Sequence, residues 1–232
     1  MKSLGLLFSI ILVESALERI DFISNRRVLR KIHPDRSKAL EKTILDVSIH
    51  NHLMQKLSEK NKRGRPDIIQ TALLLTLGSR LNKEGHLRMY VHTRNNEIIS
   101  LDPQVRIPRN YNRFIGLMEQ LFEIKTITSE SQQILLSIKS QTLKEFIQSI
   151  APTLTILFSE SGSLWKRAEL QQTFSDQSHI AILVGGFPHG DFSPETLALA
   201  DKKISIYPQV LDTLVVLSYV VSTAEQSLGM NE

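Results

Sequence analysis

The chain has 232 residues, 41% hydrophobic and 22% charged, which is enough to bury a full core and excludes a disordered or collagen-like protein. Lys and Arg number 28 against 24 Asp and Glu, a net charge of +4 that does not by itself imply a nucleic-acid partner, so the placing of the cations matters more. The absence of cysteine excludes disulfides, thiolate nucleophiles and cysteine-based zinc sites, and suits a reducing cytosol.

Residues 4–13 form an apolar run behind Lys2, but Glu14 follows at once and no small-x-small cleavage site does. The run therefore reads as a buried first strand, followed by an amphipathic helix over residues 15–20, and not as a signal peptide. No other stretch stays uncharged long enough to span a membrane. Arg26, Arg27, Arg30, Lys31 and Arg36 make a basic, solvated surface, and residues 40–57 read as an amphipathic helix. A basic linker over residues 60–65 then meets Pro66, which suits the first turn of a helix over residues 67–77. Asp67 in that turn is favoured by the helix dipole and can hold the neighbouring Arg65 guanidinium in one orientation.

Residues 87–92 and 97–101 read as two strands joined by a hairpin-like turn. Tyr111, Phe114, Met118, Leu121 and Phe122 recur at helical spacing behind Asn110, a good N-cap. Arg109 and Arg113 crowd the positive end of that helix, where the dipole disfavours cations. With Arg106 they would suit phosphates, the alternative being a solvated basic turn. After a polar stretch over residues 126–133, residues 154–158 read as a buried strand ending at Ser159-Glu160-Ser161-Gly162, followed by a helix over residues 164–174. Residues 180–184 read as a strand buried on both faces that runs into Gly185-Gly186-Phe187-Pro188-His189-Gly190. That loop is neither a dinucleotide fingerprint nor a Walker A loop, since Asp191-Phe192 stands where Lys-Ser/Thr belongs; by itself it is either a structural turn or a ligand loop at a strand end. Ser193-Pro194 starts a helix over residues 196–200, residues 203–207 form a strand, and residues 210–228 a helix apolar almost all round, fit for deep burial or a subunit interface.

His50 and His52 are the closest histidine pair of the seven, but no acidic cluster completes a metal site. No nucleophile elbow, Cys-His pair or His-Glu-x-x-His helix occurs. Glu14, Asp67, Glu160 and Asp201 are isolated acids that read as surface or capping residues, so no catalytic residue is assigned.

Six segments together carry a resemblance: Gly64-Arg65-Pro66-Asp67, Leu81-Asn82-Lys83-Glu84-Gly85, Tyr90-Val91-His92-Thr93, the stretch from Arg106 to Phe114, the Gly185 to Gly190 loop, and Ile204-Ser205-Ile206-Tyr207-Pro208. In these the chain resembles the essential-for-mitotic-growth family of ribosome-biogenesis proteins, pseudouridine N1-methyltransferases of the SPOUT class, in the short form of the archaeal branch. The resemblance implies one α/β domain over residues 1–232, a SPOUT-type sheet with a C-terminal trefoil knot, and family-specific extensions within about residues 80–120. It implies S-adenosyl-L-methionine bound by Phe158, Gly185, Gly186, Gly190, Ile204, Ser205, Ile206, Tyr207, Pro208 and Leu211. It also implies that small-subunit ribosomal RNA is held by Arg65, Arg106, Arg109 and Arg113, with Asp67 orienting Arg65. The implied setting is a cytoplasmic homodimer, off the membrane, with a small-subunit ribosomal protein as a further partner. One alternative is a non-catalytic assembly factor using the same arginines; another, a binding protein for a nucleotide-like metabolite, leaves the arginine cluster without a role.

Overall fold

The computed structural model describes residues 6–20 and 42–230. The basic patch from Arg26 to Arg36 lies outside the described residues.

One eight-stranded sheet organises the chain, in the order β4-β5-β3-β2-β1-β7-β6-β8. Its parallel half comprises β1 (Leu7–Ser15), β2 (Leu87–Thr93), β6 (Leu154–Leu164), β7 (His179–Gly185) and β8 (Lys202–Ser205). The antiparallel half comprises β3 (Glu97–Leu101), β4 (Thr126–Thr128) and β5 (Ile134–Ser140). β1 lies between β2 and β7 and is apolar nearly throughout because both its faces are covered. Phe8, Ile10 and Leu12 join one core, whereas Ile11 and Val13 join the other, the period of two that a strand imposes.

The larger core is roofed by α2 (Pro66–Gly78), α4 (Tyr111–Ile124), α6 (Arg167–Ser175) and α8 (Thr213–Ser227). Phe8 meets Phe174 of α6 edge-to-face at 5.0 Å between centroids, and each such buried large side chain contributes roughly 1.5–3 kcal/mol. The opposite face is covered by α5 (Leu143–Ile150), whose Leu143, Phe146 and Ile147 pack on Ile98, Leu157 and Leu183. Two short helices, α3 (Arg80–Lys83) and α7 (Pro194–Leu197), complete the described chain together with α1 (Val47–Met54) and a 3-10 turn over Lys60–Lys62.

The helix expected over residues 15–20 is absent. That segment is extended and buried, with the Ala16 amide donating to the Gly186 carbonyl and the Ile20 amide to that of Thr43. Its helical spacing reflects burial on several sides, with Glu18 turned inward onto Arg63. The helix expected over residues 40–57 is shorter, because Asp46 caps it by accepting from the Ser48 amide (2.8 Å), while Ile44 bridges to Arg19 in extended form. The helix behind Pro66 and that behind Asn110 start where the caps place them. β4 falls within the polar stretch over residues 126–133, and β5 and α5 fall over residues 134–150, for which the sequence suggests no element.

Candidate functional site

The carboxyl ends of β6 and β7 open on a cavity of about 490 Å³, within the range of roughly 300–1,000 Å³ usual for small-molecule sites. β7 ends at Gly185, whose carbonyl accepts from the Thr213 hydroxyl (2.7 Å), tying the loop to the start of α8. Gly186 donates to the Val13 carbonyl (2.9 Å), which pins the same loop to β1. Gly190 has φ +102, a conformation that side-chain-bearing residues rarely adopt. Beneath the loop, Phe187 meets Phe192 edge-to-face, and the Lys62 ammonium lies 4.8 Å from the Phe187 ring centroid.

The other wall comes from an irregularity in β6. Phe158 and Ser163 both pair with Ile204 of β8, so the intervening residues arch across that strand. The arch is possible because residue 162 is glycine: a Cβ there would lie 2.5 Å from the carbonyl carbon of Ile204.

Phe158, Gly185, Gly190 and Leu211 line the cavity together with Glu160 and Asp212. A smaller hollow of about 50 Å³ shares Phe158 and Leu211 and adds Ser205, Ile206 and Tyr207. Gly186, Ile204 and Pro208 line neither. Gly186 is packed on Ser15, Ile204 belongs to the core, and Pro208 is exposed.

Arg65 and Asp67 stand at the rim of the larger cavity. Arg65 Nε donates to Asp67 Oδ1 and Nη2 to Oδ2, both at 2.8 Å. The pair is half exposed, so it adds little stability; it fixes where the guanidinium points. The hydrogen bonds to Asp67 also raise the pKa of Arg65 above its ordinary value. Arg106, Arg109 and Arg113 are exposed on the adjoining loop and the first turn of α4, outside the cavity lining, and no ion pair engages them among the described residues. Gln70 of α2 donates to the carbonyls of Pro108 (2.8 Å) and Arg109 (3.2 Å), fastening that loop to the helix that carries Asp67.

Glu14, which reads from the sequence as a surface or capping residue, is nearly buried and left-handed at φ +51. Its carboxylate accepts from the Ser193 amide (2.8 Å) and Lys62 Nζ (3.2 Å). Its amide donates to His92 Nδ1 (3.3 Å), so His92 carries its proton on Nε2 and donates to Asn96 Oδ1 (3.0 Å). Burial lowers the His92 pKa below its ordinary 6.5. Burial raises that of Glu14, but hydrogen bonds from Thr196 and Ser193 and the Lys62 charge outweigh it, leaving it below 4.5. Both depressed values have one sign: each group's contribution is complete above its unfolded pKa and is lost as pH falls through the folded one. Denaturant midpoints are therefore expected to fall from pH 7 toward pH 4, with His92→Asn flattening the upper part of the decline. A midpoint rising in that interval would contradict the assignment.

His50 is buried, its Nδ1 accepting from the Asp46 amide (2.9 Å). Among the described residues no group of three or more His, Asp or Glu could hold a metal ion, and no helix is long and apolar enough to cross a membrane.

Known proteins resemble the chain in sequence and in overall fold. The model of the EMG1/NEP1 methyltransferase family fits residues 10–225. The chain belongs to this family. The ribosomal RNA small subunit methyltransferase Nep1 of Staphylothermus marinus is 42% identical over 219 residues, covering 94% of either chain. Its counterpart in Pyrococcus furiosus is 39% identical over 217 residues, 93% of this chain and 95% of the other. The crystal structure of Archaeoglobus fulgidus Nep1 bound to S-adenosylhomocysteine superposes with a TM-score of 0.84 at 36% identity, covering 97% of this chain and 99% of that one. The EMG1/NEP1 assignment agrees with the resemblance carried by the six sequence segments, and the superposition with the α/β expectation.

Neither Asp212 nor Thr213 stands out in the sequence of this EMG1/NEP1 chain, and both line the cavity. Asp-Thr ahead of an apolar run marks a helix start, and a helix start after a strand exit was the available signal. Lys62 reads from the sequence only as one cation of a basic linker, since nothing local connects it to Glu14 or Phe187.

Proposed function

We propose that the chain is an S-adenosylmethionine-dependent methyltransferase of small-subunit ribosomal RNA, that it modifies N1 of a pseudouridine, and that it works as a cytoplasmic homodimer. The observation that carries this reading is one cavity with two kinds of wall: backbone-rich loops at strand ends on one side, and an arginine fixed by a carboxylate on the other. The names of the relatives support the RNA class, and the S-adenosylhomocysteine in the Archaeoglobus protein supports the cofactor.

The residues present fit that cofactor. Phe158, Ile206 and Leu211 offer apolar surface to a flat ring, the Gly185 and Gly190 backbone offers donors and acceptors without side-chain obstruction, and Gly162 leaves room for the strand crossing beside them. When bound, S-adenosylmethionine supplies a methyl group already joined to a good leaving group. The protein's share is then largely positioning. Arg65, held by Asp67, presents a planar cation that can pair with phosphate or stack on an extruded base. Its charge also favours the anionic form of a ring nitrogen brought against it. The exposed Val210, Leu214 and Val215 at the start of α8 give the proposed dimer an apolar face, and a monomer in sedimentation at micromolar concentration would contradict that part.

Calorimetric titration with S-adenosylhomocysteine tests the cofactor reading: one site per chain is expected, and no heat at millimolar ligand contradicts it. For the RNA face, every arginine among Arg106, Arg109 and Arg113 that meets a phosphate is expected to reduce the salt slope of binding by roughly 0.7 to 0.9 when replaced by alanine. Asp67→Ala separates two accounts of the rim. Removing a negative charge strengthens RNA binding by long-range electrostatics alone, whereas loss of the Arg65 orientation weakens it by roughly fivefold or more. The expected result is weaker binding; tighter binding at matched salt, with the fold intact, would reduce Asp67 to a helix-start residue.

A further inference from the structure

We propose that the hollow between α1 and the loop over residues 185–190 is a base-reading subsite. It takes the nucleobase of a nucleotide next to the methylated one, recognised by the side-chain amides of Asn51 and Asn61. The proposal rests on the reading of the chain as an RNA methyltransferase and gives that reading a specificity element.

The hollow measures about 260 Å³, room for one flat ring system, and it shares Arg65, Pro188 and His189 with the larger cavity. A strand whose target base enters one hollow therefore has its neighbour at the mouth of the other. Charge favours this occupant. Exposed Lys60 and half-exposed Arg65 present cations to the wall, Arg63 being neutralised by Glu18 behind it, and no carboxylate residue lines the hollow. A hollow of about 740 Å³ on the far side of the Lys62–Glu14 bridge instead carries Glu14, Glu59 and Glu195, a mixture that does not select a polyanion.

The amides are arranged to read an edge. Asn51 and Gln55 stand four residues apart, on one face of the α1 turn and its end. Gln55 Nε2 donates to both the main-chain carbonyl (3.2 Å) and Oδ1 (3.1 Å) of Asn51, while Gln55 Oε1 accepts from Lys60 Nζ (2.9 Å). The chain from Lys60 through Gln55 fixes the Asn51 amide and leaves both Nδ2 hydrogens to donate. Asn61 makes no side-chain hydrogen bond among the described residues, so it offers a donor and an acceptor side by side. Half-buried Val47 supplies the apolar surface on which a ring can lie, and the core side chain of Met54 backs it from beneath. Paired amide donors and acceptors against a splayed-out base are how single-stranded RNA sequence is read. The subsite is also braced toward the outer arginines, because the Tyr111 hydroxyl at the start of α4 donates to Asp46, the cap of α1.

The test uses the full chain and a pool of RNA hairpins whose loops hold one pseudouridine with randomised neighbours on both sides. The bound fraction is sequenced at fixed ionic strength. Wild type is expected to enrich one base at a flanking position by roughly 5- to 100-fold. The Asn51→Ala/Asn61→Ala double variant is expected to lose that enrichment while still binding the pool, and Gln55→Leu to weaken it, with S-adenosylhomocysteine affinity unchanged in both as the check on an intact cavity. Wild type that binds without flanking preference, a double variant that keeps the preference, or one whose affinity falls equally for every sequence would each overturn the subsite and leave the RNA reading standing. If no form of the protein binds the pool at low salt, the RNA reading falls and the subsite with it.

Discussion

Replacing Arg63 with methionine is expected to lower stability by about 3–5 kcal/mol, the loss usual when one partner of a buried ion pair is removed. Arg63 donates from Nε to Glu18 Oε1 (2.8 Å) and from Nη2 to Oε2 (2.6 Å), with Glu18 fully buried at 0% exposure. Without the guanidinium, a carboxylate remains in the interior with its charge uncompensated, and that desolvation dominates the effect. The Glu18→Gln/Arg63→Met double variant is therefore expected to recover most of the loss, because it removes both charges. Denaturant unfolding of the two variants reads this directly; a double variant no more stable than Arg63→Met would mean that packing, not charge, holds the junction. The consequence reaches the site. Residues 16–18 are bonded on one side to Gly186 of the cavity loop and on the other to the segment before α2, where the Arg65 amide donates to the Ala16 carbonyl (3.2 Å). Arg63→Met should accordingly weaken S-adenosylhomocysteine and RNA binding together.

Gly162→Ala is expected to abolish or weaken S-adenosylhomocysteine binding by more than tenfold and to cost about 1–3 kcal/mol in stability or somewhat more. The added methyl would stand 2.5 to 2.7 Å from three backbone atoms of Ile204, and backbone in a strand cannot turn aside as a side chain can. Either the arch lifts off β8 or β8 shifts, and both move Phe158 and Ser205 at the cavity. Gly116→Ala is the matched control. It lies exposed in α4 with nothing within 4 Å of its Cβ position, so alanine there is expected to stabilise by roughly 0.5–1 kcal/mol through helix propensity alone. Equal effects at the two glycines would show that the crossing is looser than its geometry.

Where local chemistry decides, the sequence is legible. Pro66 at the first turn, Asn110 as a cap accepting from the Arg113 amide, and the apolar run of β7 each fix an element without help from the rest of the fold. The Arg65–Asp67 pair is legible for the same reason, being two residues apart at a helix start. β5 escaped because it pairs only with β3 and the three-residue β4 and is half exposed, which blurs its alternation. α5 did carry a signal, since Thr142 and Glu145 form a capping box ahead of Leu143, Phe146 and Ile147. Residues 15–20 misled because a segment buried on several sides has no period that separates helix from strand. Contacts such as Lys62 with Glu14, or Gly162 over Ile204, join positions over forty residues apart, and no local pattern encodes them.

The most direct test of the account is incubation of the purified chain with S-adenosylmethionine and two small-subunit ribosomal RNA hairpins, one carrying pseudouridine and one uridine at the same loop position, followed by nucleoside mass spectrometry. The account predicts N1-methylpseudouridine from the first hairpin, no methylated product from the second, and strong loss of product with Arg65→Ala. Methylation of both hairpins alike, or of neither while S-adenosylhomocysteine still binds, would contradict it.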